Sequence, residues 1–173
     1  MPYDPSKHHR RSIRLRGYDY TQLGSYAVTI CTQDRAPILG NLNNFSVTLS
    51  PIGHIIEQCW IALPYHFPHI TLDVHIVMPD HFHGIITINV PMAKGIASAT
   101  QVSSNGTTPN SLAAIVQNFK SVSTRRVNQM QHTIGSTLWQ RNYYEHVIRS
   151  EEELVRIRQY ILGNPAQSVE FER

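Results

Sequence analysis

Cysteine is scarce in this chain: Cys31 and Cys59 stand far apart, and no Cys-x-x-Cys pair occurs. No disulfide framework is therefore expected, and the two residues read as free thiols of a reducing compartment. Long apolar runs are also missing. A membrane span needs about 18 uninterrupted apolar residues, and none is found. The opening MPYDPSKHHRRSIRLRG is charged and lacks an apolar h-region, which argues against a secretory signal. Together these absences predict a cytoplasmic protein with no membrane partner. No internal repeat is apparent. Charged residues make up only 16% against 41% apolar residues, so most of the chain is expected to be globular. Its 173 residues fit one domain with one hydrophobic core.

The net charge is only +3, but its distribution is uneven. Lys7, Arg10, Arg11, Arg14 and Arg16 crowd the first residues against a single Asp4. A basic arm of this kind suits phosphate contacts, and it reads equally as a solvated tail. Residues 1–17 are taken as this arm, 18–165 as the domain and 166–173 as a C-terminal tail.

The strand and helix signals come in a definite order. Ser25–Thr32 is apolar and β-rich and reads as a strand. The stretch from Arg35 to Asn44, with Pro, Gly and Asn, reads as loop. Ser50 then caps a helix with Pro51 at its first position; Ile52, Ile55, Ile56, Cys59, Trp60 and Leu63 form its stripe. Thr71–Met78 and His81–Val90 read as a hairpin joined at Pro79-Asp80. Residues 91–110 are rich in Gly, Ser, Thr and Pro and read as a mobile loop. Ser111–Gln129 is a second helix and Leu138–Ile148 a fourth strand. Ser150 caps a last helix running to about Gly163, which Asn164-Pro165 is expected to end. The predicted class is α+β: a ferredoxin-like βαββαβ antiparallel sheet, with helices on one face and an additional C-terminal helix free to cover the other. That plan hosts many activities, so function must come from particular residues.

Residues i and i+2 of a strand point to the same side, so His81 and His83 project together while Phe82 points into the core. Two imidazoles at this spacing can hold one divalent cation without distorting the backbone. They leave most coordination positions open for a third protein ligand, phosphate oxygens or water, as suits a Lewis acid acting on a phosphodiester. His75 reads as structural. So does His146, as a hydrogen-bonded sheet residue.

On the last helix, Leu154, Ile157 and Ile161 make the apolar stripe. Tyr160 lies about 60° from Ile157, at the stripe's margin. Asn164 stacks one turn further on and Arg156 one turn before. Alone, Tyr160 reads as a half-buried core aromatic with a wet hydroxyl. With the histidine pair it becomes a candidate nucleophile toward phosphorus, leaving a 5′-phosphotyrosine and a free 3′-OH. Asn164 is then the candidate third ligand through its side-chain oxygen, and Arg156 a candidate phosphate contact. Tyr143 and Tyr144 compete for the nucleophile's role. They read as core or as base-stacking surface.

The order His-hydrophobic-His, then one tyrosine on a C-terminal helix with an amide four residues later, resembles the HUH single-tyrosine transposases of insertion-sequence-200 type. It is most similar to their REP-associated tyrosine transposase relatives. The segments that carry the resemblance are RRSIRLRGYDYTQLGSYAVTICTQDR (10–35), VMPDHFHGIITI (77–88) and LWQRNYYEHVIRSEEELVRIRQYILGNP (138–165). It implies His81, His83 and Asn164 as ligands of Mg²⁺ or Mn²⁺ and Tyr160 as nucleophile. The transposases often carry Gln at the position of Asn164, and the shorter amide must bring its helix nearer the metal. The implied substrate is single-stranded DNA beside a hairpin of a palindromic repeat, in the bacterial nucleoid. Arg10, Arg11, Arg14 and Arg16 would help read a guide tetranucleotide. Monomer and homodimer are both compatible with the resemblance. Two rival readings stand beside it: a non-catalytic nucleic-acid-binding ferredoxin-like module, and a metal phosphodiesterase that uses water. Against the first, no RNP-like aromatic motif appears on the predicted strands.

Overall fold

The computed structural model describes residues 17–89 and 107–170, with side chains through Pro165. The basic arm up to Arg16, most of the 91–110 loop and the extreme C-terminus lie outside the described residues. A four-stranded antiparallel sheet organises the rest. Its strands are β1 (Gly24–Cys31), β4 (Ile70–Val77), β5 (His81–Ile88) and β6 (Tyr144–Ile148), in the order β4-β5-β1-β6. This is the predicted ferredoxin-like arrangement.

Alternation along the strands sorts the two faces. Tyr26, Val28 and Ile30 of β1 and Phe82, Ile86 and Ile88 of β5 are buried on one face. Against them pack α1 (Pro51–Ile61), through Ile56 and Trp60, and α3 (Leu112–Gln131), through Ile115 and Phe119. The Trp60 ring lies 4.6 Å from Phe82 and 5.4 Å from Phe119, centroid to centroid. Gly84 makes this approach possible, because a Cβ there would sit 2.4 Å from Trp60 Cζ2. His75 belongs to this side as well: its ring stacks 6.0 Å from Phe82 and it faces Glu57 at 3.7 Å. Its structural reading therefore agrees with its surroundings.

The helices begin where hydroxyls satisfy open backbone donors. Ser50 Oγ accepts from Gly53 N at 3.1 Å, and Ser111 Oγ accepts from Ala114 N at 3.3 Å. Ser150 Oγ accepts from Glu153 N at 3.2 Å, opening α4 (Glu151–Glu170). Glu153 Oε2 reaches back to accept from Arg149 N at 2.8 Å, and the acidic first turn suits the positive end of the helix dipole. α4 covers the second face of the sheet. Arg158 clamps it to β4, donating from Nε and Nη2 to Asp73 Oδ2 at 2.9 and 2.7 Å.

Three sequence expectations need correction. The 35–44 loop contains a strand: β2 (Gly40–Asn43) pairs with β3 (Ser46–Leu49) across a turn with positive φ at Asn44 and Phe45. The fourth strand starts at Tyr144 rather than Leu138, and the 138–139 segment is held instead by one bridge between Trp139 and Thr32. α4 does not stop at Asn164-Pro165 but runs through Pro165 to Glu170. An internal proline forfeits a hydrogen bond at a cost of about 3 kcal/mol. Burial of Ile161, Asn164 and Pro165 against the protein offsets that cost. Among the described residues, no helix is long and apolar enough to cross a membrane.

A short α2 (Leu63–His66) and a 3₁₀ turn (Gln33–Arg35) complete the elements of the described residues.

Candidate active site

The odd residues of β5 turn away from the core toward α4, and this puts His81 and His83 on one side. Their ring centroids are 4.7 Å apart. Each ring is anchored through Nδ1. His83 Nδ1 shares a hydrogen bond of 2.7 Å with Thr29 Oγ1, a neighbour fixed by the β1–β5 register. His81 Nδ1 donates to Asp80 Oδ1 at 2.6 Å, and Asp80 Oδ2 in turn meets Arg35 Nε at 2.9 Å. Both rings thereby turn Nε2 away from these anchors, the orientation in which a histidine anchored through Nδ1 ligates a metal.

Burial makes the neutral form of His83 strongly preferred. Desolvation, with the nearby His81 and Arg35 adding to it against Asp80, lowers its pKa from 6.5 to about 4. An imidazole that is neutral at pH 7 keeps the Nε2 lone pair available.

α4 brings the other predicted residues to this ring. Asn164 is only 5% exposed, and its Nδ2 donates to His83 Nε2 across 3.4 Å. Tyr160, one turn earlier, is 49% exposed, and its ring centroid lies 5.7 Å from that of His83, edge to face. A cavity of about 540 Å³ opens beside them, lined by Thr29, His83, Tyr144, Arg156, Ile157 and Tyr160 among others. Arg156 thus borders the same space as Tyr160. Tyr144 is 59% exposed at that cavity, whereas Tyr143 packs against the core. His146 also borders the cavity, and Glu153 Oε1 engages its Nε2 at 2.8 Å.

The structure therefore gathers His81, His83, Asn164, Tyr160 and Arg156 from strands and helix of one chain. Arg10, Arg11, Arg14 and Arg16 lie outside the described residues. Sequence reasoning missed Thr29, Asp80 and Arg35. Asp80 had a signal, since it stands beside His81 in the Pro79-Asp80 turn. Thr29 had none, because only the strand register brings it opposite His83.

The donor set fits a divalent cation of an open kind. Among the described residues, no group of three or more His, Cys, Asp and Glu converges as a metal cage. The chain offers two anchored imidazoles and one carboxamide. The amide needs only to turn about its last bond to exchange nitrogen for oxygen toward the rings, and the two orientations are nearly isosteric.

Comparison with known proteins bears on this arrangement. Residues 106–164 match the family model described as "Transposase IS200 like". The matched segment spans α3, β6 and α4 as far as Asn164, so it includes Tyr160, while the histidine pair lies before it. An uncharacterized protein of Haemophilus influenzae is 37% identical over 169 residues, covering 94% of this chain and 92% of its own length. Among solved structures, a REP-associated tyrosine transposase bound to a REP hairpin superposes with a TM-score of 0.61 at 17% identity. That match covers 90% of this chain and 73% of the other. The last likeness establishes the fold. The family match thus covers about a third of the chain and ends on the predicted tyrosine–amide helix, and the fold is the one the REP-associated transposase has.

Proposed function

We propose that this protein is an IS200-like transposase, a metal-dependent endonuclease and transesterase on single-stranded DNA, acting beside hairpins of palindromic repeats with Tyr160 as its nucleophile. The observation that carries this reading is the seating of Tyr160 and Asn164, one turn apart on α4, at the His83 ring. The hairpin bound by the structurally similar transposase supports the substrate class.

His81 and His83 through Nε2 and Asn164 through its side-chain oxygen would hold Mg²⁺ or Mn²⁺. When bound, such a cation bears charge that develops on the phosphate and orients the scissile bond. The chain's own residues do the remainder. The phenolic proton of the half-exposed Tyr160 passes to water and its oxygen attacks phosphorus. The bond from phosphorus to the 3′ oxygen breaks, that oxygen takes a proton from water and leaves as a 3′-OH, and the 5′ phosphoryl stays on the tyrosine. The phosphotyrosine bond conserves the energy of the broken linkage, so a later 3′-OH can reseal the strand without ATP. Arg156, on the rim of the same cavity, steadies a phosphate oxygen. Tyr144 offers an aromatic face to an unstacked base. The basic arm with Arg10, Arg11, Arg14 and Arg16 contacts the DNA next to the hairpin. All the residues invoked on β5 and α4 come from one chain.

Labelled hairpin DNA, incubated with the protein and Mn²⁺ and then denatured, tests this. A covalent adduct that Tyr160→Phe abolishes is expected. Cleavage without any adduct would instead identify a phosphodiesterase using water, and binding alone a non-catalytic module. An adduct retained in Tyr160→Phe and lost in Tyr143→Phe or Tyr144→Phe would overturn the assignment of the nucleophile.

A further inference from the structure

A second concave surface lies on the opposite side of the sheet, between α3 and the segment 132–143. It is an open groove of about 1370 Å³. Small-molecule pockets usually enclose about 300–1,000 Å³, so this shape suits a length of polymer better than an enclosed ligand.

Its chemistry is one-sided. Among the described residues, no Asp or Glu lines it. From His81 to Tyr144 the chain contains no acidic residue at all, while Lys94, Lys120, Arg125, Arg126 and Arg141 fall in that stretch. The wall is built rather than loose. Lys120 Nζ donates to the carbonyls of Gln140 and Arg141 at 2.6 and 2.9 Å. Trp139 Nε1 donates to Ser123 Oγ at 2.9 Å, and Asn128 Nδ2 donates to Ser136 O at 3.0 Å.

Lys120 is thus engaged in shaping the groove. Arg125 and Arg141 are exposed on its lining, and neither forms an ion pair among the described residues. Arg35 and Arg158 elsewhere are neutralised by Asp80 and Asp73. Unpaired guanidinium groups in an acid-free concavity create a positive potential that favours phosphate.

The groove also communicates with the site on α4. β6 is an edge strand. Tyr143, just before it, lines the groove, and the next residue, Tyr144, lines the cavity with His83 and Tyr160. A polymer lying in one reaches the other by rounding a single strand edge.

We propose that this groove binds the phosphate backbone of the DNA flanking the position handled at His83 and Tyr160, with Arg125 and Arg141 as its phosphate contacts. The proposal rests on the reading of the substrate as DNA. The shared chemistry is the phosphodiester backbone, and either the duplex stem of a hairpin or a single-stranded flank could supply it.

The test uses the full chain carrying Tyr160→Phe, so that binding is read without cleavage. Fluorescence anisotropy is measured over a range of salt with a hairpin and with an unstructured strand of equal length. The comparison is between the parent, Arg125→Ala/Arg141→Ala, and Arg149→Ala as an exposed basic control outside the groove. Each lost phosphate contact lowers the slope of log K against log salt by about 0.9 for duplex and about 0.7 for single strands. The double variant is therefore expected to lose between about 1.4 and 1.8 of slope and to bind roughly fivefold or more weakly, with Arg149→Ala near the parent. A loss confined to the hairpin identifies the stem as occupant; a loss confined to the unstructured strand identifies the flank. Parent-like affinity and slope on both DNAs, in a variant with an unchanged melting curve, would overturn the proposal. A groove effect in a protein that never forms the Tyr160 adduct would instead remove the nucleophile reading and leave the groove standing.

Discussion

Protonation of His83 should destabilise the fold measurably in mild acid. In the folded chain burial lowers its pKa to about 4, against 6.5 for an ordinary imidazole. Because the folded value is the depressed one, the stability it reflects is fully present above the unfolded value of 6.5. It drains away as pH falls toward 4, because the unfolded chain takes up a proton that the folded chain refuses. Integrating the linkage relation with these two values gives a loss of about 2 kcal/mol between pH 7 and pH 4.5. The structural reason is specific. The ring is enclosed between the sheet and α4, its Nδ1 is committed to Thr29, and its Nε2 accepts from Asn164. A second proton would face an amide N–H, with Arg35 and His81 nearby and only Asp80 favouring the charge. Urea unfolding at a series of pH values, with a chelator present, measures this in the wild type and in His83→Gln. Other groups contribute acid destabilisation to both proteins, so the difference between the curves isolates His83. The gap in stability should narrow by about 2 kcal/mol on going from pH 7 to pH 4.5. Parallel curves would refute the reasoning.

Three further outcomes follow from particular contacts. Asp80→Asn removes the carboxylate that holds His81 Nδ1 and should weaken Mn²⁺ binding by roughly 10–100-fold, read from free Mn²⁺ by electron paramagnetic resonance; unchanged affinity would leave the Arg35–Asp80 chain without a part in metal binding. Gly84→Ala places a methyl group against Trp60 and should cost about 1–3 kcal/mol in urea unfolding, and a wild-type midpoint would contradict that packing. Burial opposes the ionisation of Asp73, but the Arg158 hydrogen bonds, the Val74 backbone hydrogen bond and the Arg158 charge together outweigh it and hold its carboxyl below the ordinary 3.8. The wild type should therefore melt above Asp73→Asn at pH 6, and the difference should close only as pH falls below that ordinary value.

Much of the architecture was readable because two periods are strong in this chain. The alternation Tyr26, Val28, Ile30 and the stripe Ile52, Ile56, Trp60 each bury one face, so sheet and helices were expected where they occur. His81 and His83 share a face by strand geometry, and Tyr160 and Asn164 share one by helix geometry. What failed was information that does not reside in local pattern. The β2–β3 hairpin turns through Asn44 and Phe45, and a phenylalanine at positive φ gives no glycine signal for such a turn. Pro165 reads as a stop, yet burial of Ile161, Asn164 and Pro165 carries the helix past it. Leu138 and Trp139 are apolar because they cover the core from a loop, not because they pair in a strand. Thr29 and the α3 groove arise from register and tertiary placement, which no single segment encodes.

The most direct test of the account is to digest the covalent protein–DNA product and locate the modified residue by mass spectrometry. The account predicts a 5′-phosphoryl nucleotide on the phenolic oxygen of Tyr160, with a free 3′-OH on the released strand. Modification at Tyr143, Tyr144 or any other residue, or a released strand ending in a 3′ phosphate, would contradict it.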